Sequence, residues 1–207
     1  MQQIFTKHVF DEYNENHVIK PQMDGFNDPT LHDFLPLSFS SVIKVEYREE
    51  WFEKEFIESF RNAAKVLADA GQQAVNVANG YPFPKFSYAL PMLYMTRHCM
   101  ELALKRAIRK FGGTPGTTHN LTKLWSSFQS RLPSRNNRIC EDRRTIKNMG
   151  LFVKEVSTID DTGFDLRYSK DNVGEYTQGK WIWVNAKEVP NYLDQFVEQL
   201  ESINTNI

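Results

Sequence analysis

The sequence predicts a mainly α-helical fold: a bundle of about five helices, with an irregular N-terminal arm and a small β-hairpin before the last helix. Apolar side chains recur at three- and four-residue steps in several stretches, which is the helical period. Glycines and prolines separate these stretches, and the alternating patterns typical of strands are scarce. With 207 residues and 41% hydrophobic content, the chain is long enough to bury a core of its own.

Residues 1–49 are predicted to form an arm that packs on a helical domain of residues 50–207. Prolines and a glycine punctuate the arm, and its aromatic residues follow no helical period. We do not expect a free tail, because many large apolar side chains would then stay in water. These side chains are Phe5, Phe10, Phe26, Phe34, Leu35, Leu37 and Phe39.

The first two helices are predicted at about residues 50–79 and 88–111. The first has no internal proline and carries an apolar stripe of Phe52, Phe56, Phe60, Ala63, Ala64, Leu67 and Ala74. Ser87 can cap the second helix, and Pro91 then falls in its first turn, where the missing N–H costs little. Paired glycines after residue 111 are a typical stop signal.

The third helix is predicted to start at a threonine and to run to about Arg131. Thr117 or Thr118 can cap it by accepting a hydrogen bond from a free backbone N–H. His119 then lies in the first turn of this helix. Two interpretations of His119 remain open, a local capping residue and a group that exchanges hydrogen bonds with a ligand.

Two further helices are predicted, at about residues 138–157 and 186–203. The first of them contains the most basic stretch of the chain, Arg138, Arg143, Arg144 and Lys147, which Glu141 and Asp142 partly neutralise. Residues 160–185 between the two helices are punctuated by glycines. The β-prone segment Trp181 to Val184 is expected to form a small hairpin, with Tyr176 opposite it.

Composition and motifs exclude several classes of function. Lys and Arg number 25 against 26 Asp and Glu, so a net charge of −1 gives no global basic footprint for RNA. Neither Cys99 nor Cys140 has zinc-site spacing, and no phosphate loop or common hydrolase motif occurs, so no metal and no cofactor are predicted. No apolar run reaches the ~18 residues of a membrane span, so we expect a cytoplasmic protein without membrane association.

Arg97, Glu101 and Lys105 recur every four residues of the second helix and fall within its apolar stripe rather than opposite it. Charges that point inward are costly unless they are paired or used. In one interpretation they form two ion pairs that tie the helix to its neighbours. In the other they form a polar pocket or a dimer seam, in which Arg97 contacts a phosphate or carboxylate, Glu101 orients it and Lys105 adds charge.

Three separated blocks carry a family resemblance. They are Pro91-x-x-Tyr94-x-x-Arg97-His98-x-x-Glu101-Leu102-x-Leu104-Lys105, then His119-Asn120-Leu121-x-x-Leu124-Trp125, then Asp161 through Arg167-Tyr168. In this order they resemble uncharacterised bacterial proteins with a HEPN-type helical domain, over about residues 55–205. The resemblance implies a helical bundle, often a homodimer, among RNA-cleaving toxins, antiphage defence effectors and partners of nucleotidyltransferases.

The chain departs from this family at the usual catalytic pair. Ribonuclease members typically carry an arginine followed a few residues later by a histidine near the last helix, and cut RNA without a metal. The matching region here offers Arg167, but no histidine follows His119. We therefore expect a defence, stress or toxin-antitoxin module that is RNA-associated or protein-binding and lacks the ribonuclease motif.

Two alternatives remain. The chain could be an immunity or antitoxin-like protein that covers the site of a toxin. It could instead be a divergent metal-independent ribonuclease, with His119 as general acid or base and Arg97 or Arg167 holding the phosphate. The candidate polar pocket comprises Arg97, His98, Glu101, Lys105, Asp161 and Tyr168. A contiguous basic face around residues 138–147 would favour RNA, and an acidic or apolar patch would favour a protein partner.

Overall fold

The computed structural model describes residues 10, 19–21, 34–35, 49–74, 83–132, 143–170, 173–174, 177 and 182–203. Within them the chain forms five helices, which are α1 (Glu49–Gln73), α2 (Phe83–Lys110), α3 (Leu121–Gln129), α4 (Arg143–Asp160) and α5 (Glu188–Glu201). Three short strands accompany them, β1 (Ile19–Pro21), β2 (Phe34–Leu35) and β3 (Ile182–Asn185). The predicted mainly helical fold with five helices is confirmed.

Helix α2 lies at the centre of the bundle, since it packs against α1, α3 and α5. Its apolar face contributes Met92, Leu93, Met100, Leu104 and Ile108 to the core, all essentially without solvent contact. Three buried phenylalanines face it from the other helices, Phe128 of α3, Phe152 of α4 and Phe196 of α5. Because every helix supplies part of one continuous core, a side chain in the middle of α2 can reach several segments at once.

Two predicted helix starts are wrong. Helix α2 begins at Phe83, so Ser87 lies inside it rather than capping it, and Pro91 is an interior residue of the helix. Helix α3 begins at Leu121 and is capped by Asn120, whose side chain accepts a hydrogen bond from the backbone N–H of Lys123. The cap therefore is not a threonine, and His119 precedes the helix instead of lying in its first turn.

The strand predicted before the last helix is present, and it is the middle strand of a small sheet. The strand order is β1-β3-β2, with both neighbours antiparallel to β3. Ile19 of β1 and Leu35 of β2 both lie opposite Val184. The described partners of β3 thus come from the arm, while Tyr176 and residues 138–142, also named in the predictions, lie outside the described residues.

Phe10 of the arm packs against the helical bundle. Phe10 is 8% exposed, and its ring centroid lies 5.7 Å from that of Tyr192 and 6.5 Å from that of Phe152. Phe10 thus belongs to the same core as α4 and α5. The boundary between residues 49 and 50 stays a prediction.

Candidate functional site

Arg97 is the centre of the site that the structure forms around α2. It is only 1% exposed. Its Nε donates to the carbonyl of Asp160 at 3.3 Å, and Nη1 donates to Glu101 Oε2 at 2.5 Å. Its Nη2 donates to two further carbonyls, those of His119 and Asp161. Arg97 thereby fastens α2 to the segment before α3 and to the segment after α4.

Glu101 is the second buried charge of this site, at 2% exposure. Its Oε1 accepts hydrogen bonds from Lys105 Nζ at 2.7 Å and from His119 Nδ1 at 2.8 Å, while Oε2 accepts from Arg97. Burial by itself raises the pKa of Glu101, but hydrogen bonds from Lys105, Arg97 and His119 outweigh it and lower that pKa to about 2. Glu101 is therefore an anion at neutral pH.

The four-residue spacing explains why these charges meet. One helical turn separates Arg97 from Glu101 and Glu101 from Lys105, so the carboxylate lies between the two cations on one face. Arg97 and Glu101 are enclosed, and Lys105 stands at the rim with a mostly covered side chain. The guanidinium of Arg97 donates hydrogen bonds to four protein groups. Few of its N–H donors are therefore left for a phosphate or carboxylate ligand.

The segment after α4 is shaped by the buried carboxylate of Asp160. Its Oδ1 accepts from the backbone N–H groups of Gly163 at 2.6 Å and Phe164 at 3.0 Å, and its Oδ2 accepts from that of Leu166 at 3.1 Å. Gly163 has φ +80°, and a Cβ atom there would lie 3.0 Å from the guanidinium carbon of Arg97. Both the backbone conformation and this close approach require glycine.

Asp161 caps α3 from outside the helix. Its Oδ1 accepts from the backbone N–H of Thr122 at 2.9 Å, and its Oδ2 accepts from the hydroxyl of Thr122 at 3.0 Å and from the side-chain amide of Asn120. Its carbonyl also accepts from the backbone N–H of Leu121 at 2.9 Å. A carboxylate at a helix N-terminus satisfies free N–H groups and matches the helix dipole, so Asp161 holds α3 in place.

The His119 side chain is hydrogen-bonded at one ring nitrogen and exposed to solvent elsewhere. Its side chain is 62% exposed although Nδ1 lies 2.8 Å from Glu101 Oε1. Because an ionised carboxylate can only accept, Nδ1 carries the hydrogen of this bond. Among the described residues, Nε2 of His119 has no hydrogen-bond partner. An imidazole arranged in this way can exchange a proton or a hydrogen bond with a ligand.

His98 lies at the edge of the site, in an aromatic environment. Its ring packs edge-on against Phe60 at 4.4 Å and stacks with Tyr94 at 5.9 Å, and its Nδ1 is 4.0 Å from Glu101 Oε2. Burial lowers the pKa of His98; Glu101 opposes that shift and Arg97 adds to it. His98 is therefore an aromatic packing residue that prefers to be neutral.

Arg167 and Tyr168 belong to the loop that follows α4. Arg167 is exposed, and its Nε donates to the carbonyl of Gly163, where a Cβ atom would crowd Arg97. Its guanidinium carbon lies 5.5 Å from the ring centroid of Tyr168, which is 49% exposed. The ring of Tyr168 in turn packs on Phe164 with centroids 4.6 Å apart. Both residues point to solvent from a loop that the Arg97 site anchors.

The predicted site residues therefore divide into two groups. Arg97, Glu101, Lys105, His119 and Asp161 form one network of direct contacts. His98, Arg167 and Tyr168 lie around it. The predicted site did not include three residues that build the network, Asn120, Asp160 and Gly163, although Asn120 stands in the second resemblance block. The sequence carried a signal for them, because asparagine is a strong N-cap residue and the run Asp-Asp-Thr-Gly is rich in residues typical of a tight loop after a helix.

Helix α4 adds a separate feature, a row of basic side chains on its solvent face. Arg143, Arg144, Lys147 and Lys154 are all exposed and lie within roughly 100° of one another around the helix. Arg143 and Lys147 have no acidic partner among the described residues. At ~1.5 Å per residue, the row extends over about 16 Å. We call these four residues the α4 basic row.

No protein-family model, curated protein or solved structure matches this chain. The HEPN resemblance thus depends on its three sequence blocks, whose residues meet in space at the guanidinium of Arg97. Within the described ranges, no cluster of three or more His, Cys, Asp or Glu side chains is arranged to hold a metal ion. No helix in this part of the chain is long and apolar enough to cross a membrane.

Proposed function

We propose that this chain is a HEPN-like module of a bacterial defence, stress or toxin-antitoxin system, that it associates with RNA, and that it lacks the usual HEPN ribonuclease pair. The observation that carries the proposal is the α4 basic row. Exposed lysines and arginines on one helix face can neutralise successive phosphates of a nucleic acid. Since the net charge is −1, such contacts are confined to this local surface.

The contacts of Arg97 support a binding function without RNA cleavage. A phosphate clamp needs an arginine that is open to the ligand, and the Arg97 guanidinium donates to protein groups instead. His119 keeps an accessible Nε2 and Arg167 is exposed, so the divergent ribonuclease alternative is tested together with the main proposal.

The binding test is a fluorescence anisotropy titration of labelled single-stranded RNA and tRNA at several salt concentrations. We expect Lys147→Glu to weaken binding about fivefold or more, because it removes one phosphate contact and adds repulsion. The slope of the logarithm of the binding constant against the logarithm of the salt concentration should become smaller by about one unit. The control is Lys54→Glu, which makes the same charge change at an exposed position of α1. Equal losses in both variants, or no binding by wild type, would overturn the RNA assignment.

The cleavage test incubates the same RNAs with wild type, His119→Ala and Arg167→Ala proteins in the presence of EDTA. The proposal predicts intact RNA in every sample. Cleavage by wild type that is lost in His119→Ala would instead identify a metal-independent ribonuclease. If the RNA is neither bound nor cut, the immunity or antitoxin alternative becomes the leading one, and the search turns to a protein partner.

A further inference from the structure

The loop after α4 presents two side chains whose polar ends are not used by the described part of the protein. Arg167 spends Nε on the carbonyl of Gly163, and its two terminal amino groups have no acceptor among the described residues. The hydroxyl of Tyr168 also has no hydrogen-bond partner there. The guanidinium carbon lies over the Tyr168 ring, 5.5 Å from its centroid, so the two groups form one exposed surface, which we call the 167/168 surface.

Hydrogen bonds of the loop define the backbone conformation beneath this surface. The backbone N–H groups of Arg167 and Tyr168 both donate to the carbonyl of Phe164, at 3.0 and 3.2 Å. The hydroxyl of Thr177 donates to the carbonyl of Tyr168 at 2.5 Å, and the carboxylate of Asp160 fixes the start of the loop. A loop that is already ordered loses little conformational entropy when a partner binds.

We propose that the 167/168 surface docks a protein partner that presents a carboxylate beside an apolar side chain. The free amino groups of Arg167 can hold a carboxylate at two points, and the Tyr168 ring can cover the neighbouring apolar group. Tyrosine and arginine are the residue types that most often dominate protein interfaces. This inference goes beyond the proposed RNA association, which depends on α4.

The charges around the surface favour a protein over RNA. Asp161 and Asp165 lie on the same segment, and Asp165 is partly exposed. These carboxylates disfavour a polyanion that passes along the loop, whereas a partner that presents one carboxylate brings a single negative charge to Arg167. One guanidinium and one ring also match a point contact better than a continuous backbone track.

The test uses two capped tripeptides, Leu-Glu-Phe and Leu-Gln-Phe, titrated into the isotopically labelled full chain and followed by amide and arginine side-chain NMR signals. We expect the glutamate peptide to shift the signals of Gly163, Arg167 and Tyr168 in a saturable way, with an affinity about tenfold above that of the glutamine peptide. Equal binding of the two peptides, or no shift of the loop signals with either, would overturn the proposal.

Two variants and one nucleic acid sharpen this result. Arg167→Lys keeps the charge and loses the two-point geometry, so we expect the glutamate peptide to bind it about fivefold more weakly. The control Lys123→Gln removes an exposed cation from α3 and should leave the affinity unchanged. A short single-stranded RNA that shifts the loop signals more strongly than the glutamate peptide would reassign the surface to nucleic acid. The comparison of the two peptides uses the wild-type protein alone, so it does not depend on whether a variant folds.

Discussion

At the scale of single residues, Arg97 shows what the sequence could reveal and what it could not. Its place within an apolar stripe, one turn from Glu101, marked it as a buried and paired charge. Its other partners lie 22, 63 and 64 residues away and are backbone carbonyls. Because every residue has a backbone carbonyl, the residue type does not indicate such a partner. These contacts depend on how α2, α3 and α4 pack together.

Replacing Arg97 tests its structural role. Arg97→Ala should lower the free energy of unfolding by about 3 kcal/mol, because it leaves Glu101 buried with less compensation and removes the bonds to three carbonyls. Urea denaturation measures the difference. The control Arg109→Ala removes an exposed partner of Glu53 and should cost less than about 0.5 kcal/mol. An unchanged stability of Arg97→Ala would refute the structural role.

Glu101 should make stability depend on pH in the acid range. Its pKa is about 2 in the folded chain against 4.5 ordinarily, so its contribution is complete above about pH 4.5 and is lost as the pH falls towards 2. The pH-dependent part amounts to about 3 kcal/mol. Denaturation of wild type and Glu101→Gln across this range should show the difference in stability shrinking with acid. A difference that stays constant would contradict the lowered pKa.

At the scale of elements, the start of α3 was decided by a contact that its own sequence does not contain. Thr117, Thr118 and Asn120 are all acceptable caps, and local preference alone does not choose among them. The backbone N–H groups of Leu121 and Thr122 donate to Asp161, which follows α4, and this fixes where the helix begins. Helix interiors were predictable from their apolar period, whereas this boundary depended on tertiary structure.

Alanine substitutions at the predicted cap and at the observed cap of α3 test which residue caps the helix. Asn120→Ala should destabilise the chain by about 1–2 kcal/mol, since it removes the bond to the Lys123 N–H and the contact with Asp161. Thr117→Ala, the matched change at the rejected cap, should leave stability nearly unchanged because Thr117 is exposed. Thermal melts of both variants measure the difference. Equal shifts would mean that Asn120 is not the effective cap.

At the scale of the whole molecule, Phe10 of the arm lies in the core of the helical bundle. The helices were predictable because each has a long periodic stripe, but the sheet was not, since β1 and β2 have only three and two residues. Such short strands leave no alternating pattern to detect. Their register is set by β3, whose Val184 faces both of them. Strand pairing between distant segments is therefore the part of the fold that could not be predicted from the sequence.

Removing one aromatic ring from the arm tests this shared core. Phe10→Ala should destabilise the entire chain by about 3 kcal/mol, because the ring packs on Phe152 of α4 and Tyr192 of α5. Circular dichroism during thermal unfolding should show one transition at a lower temperature. Helical stability equal to that of wild type would mean that the Phe10 ring contributes nothing to the bundle.

The way Arg97 holds its neighbours has a consequence for how this protein can diverge. It binds His119 through the main chain, so the side chain at that position can change without breaking the bond. A substitution at position 119 thus loses the side-chain hydrogen bond to Glu101, while the bond from Arg97 to the backbone still holds this segment in place. A sequence that keeps Arg97, Glu101 and Gly163 would therefore present a different side chain at position 119 from the same backbone frame.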